Sequence, residues 1–264
     1  MQPLLNIAIK AARRAGDVIV RYVDRLDTLT IRTKEHNDFV SEVDKQAEDE
    51  IVQIIRAAYP DHAILGEEGG VLKGRSDEYT WVIDPLDGTT NFLHGFPVFS
   101  VSIAVKRRGQ LEHGVVYDPL RNELFTAARG GGAQLNSRRI RVSNLRTLEG
   151  ALIGTGFPFR ENQNLDMYMK MFGSVARKTA GIRRAGSAAL DLSYVAAGRL
   201  DGFWELGLKE WDMAAGLLMI QEAGGSIGYL DGRSGIPEDG SILAGGQKVF
   251  KLLADEFKPI LPMA

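Results

Sequence analysis

The chain has 264 residues, 44% of them hydrophobic, which is enough for a packed core in one large domain or two small ones. Lys and Arg number 32 against 34 Asp and Glu, so no global basic field argues for nucleic acid or an anionic membrane. Cysteine is absent, which excludes disulfides, thiolate nucleophiles, iron–sulfur clusters and Cys-based zinc sites and favours a reducing compartment.

The N-terminal segment carries Lys10, Arg13, Arg14 and Asp17 rather than an unbroken apolar stretch, and nowhere do eighteen apolar residues run together. A cytoplasmic protein without a membrane span is expected. Leu4, Ala8, Ala11, Ala15, Val18 and Tyr22 recur at steps of three and four and predict an amphipathic first helix. Ser41 followed by Asp44 resembles a capping box, and Val43, Ala47, Ile51, Ile54 and Ala58 give a second helix its stripe until Pro60. Strands are predicted at His62 to Leu65, Thr80 to Ile83, Val98 to Val105, Gln110 to Tyr117 and Glu123 to Ala127, with a turn over Lys106 to Gly109.

From about Gly150 the pattern alternates: strand Ala151 to Gly154, helix Leu165 to Ala176, strand Gly181 to Arg184, helix Ala188 to Ala197 and strand Asp201 to Glu205. Ala214 to Ala223 is predicted helical, Ser226 to Leu230 and Ser241 to Ala244 as strands, and Val249 to Phe257 as the last helix. Strands in series and then βα alternation suggest α/β layers packed together, an N-terminal half over 1–145 and a C-terminal half over 146–264 forming one compact unit.

The acidic residues carry the chemistry. In Trp81-Val82-Ile83-Asp84-Pro85-Leu86-Asp87-Gly88-Thr89-Thr90-Asn91 an apolar strand runs into Asp84, where Pro85 is expected to stop it. Pro85 and Gly88 bend the backbone so that Asp84 and Asp87 converge, while Gly88-Thr89-Thr90 offers amides and hydroxyls to an anion. Two carboxylates beside an anion cradle suit Mg²⁺, a hard ion that bridges carboxylates to phosphate. A plain strand-ending turn is the alternative. Gly66-Glu67-Glu68-Gly69-Gly70 places more carboxylates at a strand end. Asp212, opening the helix that contains Ala214, is either an N-cap or a ligand.

Four elements in order, Asp44, Glu67-Glu68, Asp84-Pro85-Leu86-Asp87-Gly88-Thr89 and Trp211-Asp212-Met213-Ala214, resemble the inositol monophosphatase family in its bacterial SuhB-type branch. The resemblance spans nearly the whole chain. It implies an α/β (α+β) fold, a layered αβαβα sandwich of the inositol monophosphatase/fructose-1,6-bisphosphatase type. It also implies a Mg²⁺-dependent, Li⁺-sensitive phosphatase acting on a small phosphate monoester such as myo-inositol monophosphate.

By that resemblance Glu67, Asp84 and the Leu86 carbonyl hold one Mg²⁺, and Asp84, Asp87 and Asp212 a second, with Glu67 supporting a third. Thr89, oriented by Asp44, positions the attacking water, and Glu67 shares in catalysis; no covalent intermediate is required. Glu67, Leu86, Asp87, Gly88, Thr89 and Asp212 would also line the substrate. Gly186, Ser187 and Ala188 would turn amides to it, Arg183 would add positive charge, and Glu205 would accept its hydroxyls. Lys34 matches a family lysine and reads nearly as well as a solvated one. Asp44 reads equally as a first-turn acid favouring its helix dipole, and Glu205 as an exposed acid.

His36, His62, His94 and His113 lack metal-ligand spacing and read as structural or surface residues. Arg184, next to Arg183 and pointing the other way if the segment is a strand, is a candidate for the interface of an expected homodimer. The branch is also implicated in ribosomal RNA transcription antitermination through NusA. Lys106-Arg107-Arg108 and Arg138-Arg139-Ile140-Arg141 read either as such a surface or as solvated turns.

Overall fold

The apolar stripes of the first two helices cover one face of a large sheet in the computed structural model. It describes residues 2–29, 31–35, 38–76, 78–158 and 164–262, and the side chains of 28, 31–35 and 38–40 lie outside that description, with them Lys34; His36 lies outside altogether. Helix α1 (Pro3–Val20) opens on proline, whose missing amide costs nothing in a first turn, and buries Ala8, Ala11, Ala12, Ala15 and Ile19. Gly16 is needed on that face, because a Cβ there would collide with the Tyr117 ring. Helix α2 (Glu42–Ala58) has the predicted capping box: Ser41 Oγ accepts from the Val43 amide at 3.1 Å and the Asp44 carboxylate from the Ser41 amide at 2.9 Å. Between the helices lies a small hairpin, β1 (Ile31–Glu35) with β2 (Asp38–Ser41), that the sequence pattern does not announce.

The large sheet has the order β10-β9-β8-β7-β6-β5-β3-β4. Its strands are β3 (Ala63–Gly66), β4 (Gly70–Leu72), β5 (Tyr79–Asp87), β6 (Ser100–Arg107), β7 (Gln110–Asp118), β8 (Glu123–Ala128), β9 (Gly132–Leu135) and β10 (Arg138–Arg139). Only β3 and β5 pair in parallel, so both end at the same edge of the sheet. The β6–β7 hairpin turns at Arg108 and Gly109, both with positive φ, the twist that suits a two-residue turn.

A second sheet, β12-β11-β13-β15-β14, consists of β11 (Leu152–Thr155), β12 (Gly181–Arg183), β13 (Gly202–Glu205), β14 (Ser226–Tyr229) and β15 (Ile242–Gly245). Helices α5 (Ala188–Ala196) and α6 (Glu210–Glu222) lie between the sheets, and α4 (Leu165–Ala176) and α7 (Gln247–Phe257) cover the far face. Strand alternation shows the layering directly. Trp81 and Ile83 pack with α1 and α2 while Val82 packs with α5 and α6; Phe203 joins that middle layer and Trp204 the outer one. The architecture is therefore the expected αβαβα sandwich.

Candidate active site

The site begins with an irregularity in β5. Sequence reading ends this strand at Pro85, yet it continues to Asp87, with Asp84 opposite Ser102 and Asp87 opposite Ser100. Three steps on β5 face two on β6, so one residue is extra and the ladder bulges. In an unbroken strand residues 84 and 87 point to opposite faces; the extra residue turns both carboxylates to the same one. Proline, which has no ladder donor to lose, is tolerated at such a bulge. The Leu86 amide turns back to Asp84 Oδ1 at 2.9 Å. That face looks toward the middle helices, where Ser100 Oγ lies 3.2 Å from Ser187 Oγ and Ser102 Oγ donates to the Trp211 carbonyl at 3.2 Å.

Three other elements bring acids to these two. Glu67 follows β3, its amide bonded to the Ile83 carbonyl at 3.2 Å, and its side chain hydrogen-bonds that of Asp84. Asp212 is not an N-cap: α6 starts earlier than predicted, with Lys209 as its cap, and Asp212 Oδ2 accepts the Lys209 amide at 2.7 Å. Asp87 Oδ2 accepts Ser187 Oγ at 2.6 Å and the Ala189 amide at 2.8 Å. At the α5 N-terminus, expected to face a ligand through Gly186, Ser187 and Ala188, Asp87 engages the Ser187 hydroxyl and the Ala188 and Ala189 amides. A carboxylate close by satisfies the orphan amides and the helix dipole together.

Crowding shows in the protonation. Burial first, then the charges of Glu67, Asp87 and Asp212, push the Asp84 carboxyl well above its ordinary value. Burial likewise raises Asp212 well above normal, with Asp87 adding, and raises Asp87 to about 6 against the opposing bonds from Ser187 and Ala189. Asp84 is only 1% exposed, whereas Asp87 and Asp212 are half-buried, so solvent moderates the effect at the latter two. Among the described residues no three acidic or histidine side chains stand in a ready-made metal-ligating arrangement. The acids turn to amides, hydroxyls and each other. Hard oxygen donors that raise one another's proton affinity are nonetheless the donor set that fits Mg²⁺.

Next to the acids stands a hydroxyl. Gly88, at φ 97, starts the short helix α3 (Thr89–Leu93); a Cβ there would press on the carbonyls of Val98 and Gly186. Thr89 Oγ1 lies 2.9 Å from Asp44 Oδ1 and 3.0 Å from the Leu86 carbonyl. Asp44 is 1% exposed, and burial raises its carboxyl despite bonds from Ser41 and Thr89. Asp44 serves the helix cap with Oδ2 and meets Thr89 with Oδ1.

Arg183 is exposed, with Nη1 donating to the neighbouring Ile182 carbonyl at 3.1 Å. Arg184 is exposed too; its guanidinium lies over the Phe157 ring at 5.8 Å and close to Gly186, and its charge favours ionisation of Asp191. The chain leaves β12 at Arg183, so Arg184 lies one residue beyond the strand. Glu205 is half-buried at the end of β13, over Gly156, where a Cβ would overlap its carboxylate. Sequence reasoning missed Ser100, Ser102, Glu48, Asn91 and buried Asp191. Asn91 Nδ2, bonded to the Val98 and Ala185 carbonyls at 2.7 and 2.8 Å, ties the two halves of the chain together beside the site. His62 is structural: its Nδ1 accepts Trp81 Nε1 at 3.0 Å between the rings of Tyr59 and Tyr79.

The sequence model of the inositol monophosphatase family matches residues 1–260. The chain belongs to the inositol monophosphatase family. Family membership supports a phosphatase, and the family's chemistry is Mg²⁺-dependent. A relative from Pseudomonas aeruginosa named Nus factor SuhB is 59% identical, over 99% of this chain and 98% of its own. Among solved structures, the extragenic suppressor protein SuhB of Bartonella henselae superposes with TM-score 0.95 at 43% identity, over 97% of this chain and 99% of that one. An inositol monophosphatase from Anabaena superposes with TM-score 0.84 at 38% identity, covering 99% and 98%. Among the described residues no helix is long and apolar enough to cross a membrane.

The two basic runs differ in the fold. Lys106 pairs with Glu210 at 2.6 Å, and Arg107 and Arg108 share Glu78 at 3.1 and 3.5 Å, so most of that run's charge is offset. Arg138, Arg139 and Arg141 are exposed at or beyond the β10 edge, and among the described residues none has an acidic partner.

Proposed function

We propose that the chain is a cytoplasmic Mg²⁺-dependent phosphatase that hydrolyses a small polyol phosphate monoester, myo-inositol monophosphate first among them. The observation that carries this reading is the β5 bulge, which turns Asp84 and Asp87 toward Glu67 and Asp212 beside the Thr89–Asp44 pair. Glu67, Asp84, Asp87, Asp212 and the Leu86 carbonyl would hold two Mg²⁺ ions, with Glu67 available to a third. Bound there, Mg²⁺ supplies activation of water and stabilisation of the leaving oxygen. Thr89 Oγ1 accepts a hydrogen bond from the attacking water and gives its own proton toward Asp44 Oδ1. Burial raises the proton affinity of Asp44, so it is suited to receive that proton. Gly88 lets the backbone approach the phosphate, Glu205 accepts substrate hydroxyls, and Arg184 balances charge at the cleft mouth. A homodimer belongs to the same reading, and sedimentation velocity checks it.

The deciding test is a panel of phosphate monoesters with and without Mg²⁺, with Li⁺ added to the best pair. Mg²⁺-dependent hydrolysis led by a polyol phosphate, and uncompetitive loss with Li⁺, are expected. Turnover that ignores both ions would overturn the reading.

The crowded acids also set a pH dependence. The folded-state pKa values of Asp84, Asp87 and Asp212 are raised, so the folded chain binds more protons than the unfolded one above the ordinary carboxylate range, and stability falls as pH rises through that window. Metal-free protein is therefore expected to gain more melting temperature from Mg²⁺ at pH 8 than at pH 5. Equal gains at both values would mean that the four acids do not share one site.

A second role, compatible with the first, is in transcription antitermination as a NusA partner. The name of the Pseudomonas relative favours it, and the exposed arginines at the β10 edge, without an acidic partner among the described residues, give it a surface. Binding to NusA should be lost in an Arg138→Glu, Arg139→Glu, Arg141→Glu variant; undiminished binding would place the surface elsewhere.

A further inference from the structure

Helix α2 buries two carboxylates four residues apart, and hence on one face. Asp44 is engaged with Ser41 and Thr89. Glu48, 6% exposed, meets no cation among the described residues. Its Oε2 instead accepts the Glu68 amide at 2.9 Å and its Oε1 the Gly69 amide at 2.6 Å.

These amides belong to Glu67-Glu68-Gly69, the three-residue loop closed by the Gly66–Gly70 pair of β3 and β4. The loop is shaped for this contact. A Cβ on Gly66 would fall 2.6 Å from Glu48 Oε2, and one on Gly69 2.5 Å from Oε1, so both glycines let the backbone reach the carboxylate. A tight hairpin on its own needs only water for its turn amides, whereas burying a carboxylate beside Glu67 is costly unless it performs a task. Two charge-assisted bonds to consecutive amides fix the loop in a way that one bond or water cannot.

We propose that Glu48 is the positioning residue for Glu67: its two-oxygen grip on the Glu68 and Gly69 amides holds the Glu67 carboxylate against Asp84 and so sets the affinity for the divalent cation. One helical face then orders both parts of the chemistry, Thr89 through Asp44 and Glu67 through Glu48. The inference rests on reading Glu67 as a Mg²⁺ ligand.

The test measures Mg²⁺ binding to metal-free protein by titration calorimetry, together with hydrogen exchange at the Glu68 and Gly69 amides. Glu48→Gln keeps the volume but turns an NH₂ group toward one of the amides. Glu48→Asp keeps the charge but falls short of the loop. Both are expected to weaken Mg²⁺ binding about 10–100-fold, the usual loss on removing a partner that orients a metal ligand. Both should also speed exchange at the two amides.

Gly69→Ala should act alike from the other side, since its Cβ displaces Glu48 Oε1, and its exposed position keeps folding out of question. The Mg²⁺ concentration for half-maximal turnover should rise in step, with kcat at saturating metal less affected. If Glu48→Asp binds Mg²⁺ like the parent, only charge matters and the grip is refuted. If the amides exchange faster while Mg²⁺ affinity holds in all three variants, the loop is not what positions Glu67. Glu67→Ala separates the two levels: if it leaves Mg²⁺ binding intact the metal reading falls, and if it abolishes binding while the Glu48 variants do not, this inference falls alone.

Discussion

Thr89→Ala is expected to lower kcat by about 10²–10⁴-fold, the contribution of a positioned proton acceptor, with KM nearly constant. The substitution leaves Glu67, Asp84, Asp87 and Asp212 in place, so Mg²⁺ affinity should hold. Folding should change by only about 1 kcal/mol, since Asp44 keeps its bonds from the Ser41 amide and hydroxyl at 2.9 and 2.6 Å. Asp44→Asn should fall as far for a different reason. Its oxygen can still serve Ser41, but its NH₂ then faces Thr89, which must accept that bond and has no acceptor to pass a proton to. Because the two residues form one relay, the double variant should be no slower than either single one. Losses that multiply would show that Thr89 and Asp44 act separately, and near-parental kcat in all three would leave the transcription role as the better account of the chain.

Why the sequence reveals some of this and hides the rest follows from where each signal lies. The bounds of α4 match the expectation because one face is apolar and Asn164 caps it, with Oδ1 accepting the Met167 amide at 2.9 Å. The start of α6 is hidden because Met213 to Ile220 are all buried between two sheets, so no polar face marks a period. Strands β4, β9 and β10 are too short to alternate visibly.

The acids are legible as types, since Asp and Glu at strand ends are conspicuous, but their convergence is not. It depends on a bulge, and a bulge exists only in the register of β5 against β6. Strand parity separates Arg183 from Arg184 on paper, yet it loses its force one residue beyond the end of β12. Glu48 lies beside a stripe that looks complete without it. Its partners are backbone amides, which leave no mark in the sequence beyond the glycines that let them approach.

Asp87→Asn is expected to separate metal binding from folding in the opposite direction to Thr89→Ala. In the parent, Asp87 Oδ2 takes Ser187 Oγ and the Ala189 amide, and an Asn carbonyl oxygen can take both, so the α5 N-terminus stays capped. What is lost is the charge. The folded environment raises the Asp87 carboxyl to about 6, so above that pH its ionised form opposes folding, and the solvent that reaches the side chain softens the effect. Metal-free Asp87→Asn should therefore melt no lower than the parent at pH 5, where the parent's Asp87 is largely protonated, and higher at pH 8.

With Mg²⁺ the order should reverse. The variant has given up an anionic donor, so its half-saturating Mg²⁺ should rise about 10–100-fold and turnover at low metal should collapse, with partial recovery as Mg²⁺ is raised. No such recovery is open to Thr89→Ala, whose defect lies in the proton relay. Melting curves at the two pH values and Mg²⁺ titrations of turnover read both effects. A variant less stable than the parent at pH 8 without metal would show that the Asp87 charge favours the fold, and the crowded-carboxylate account of the site would then be wrong.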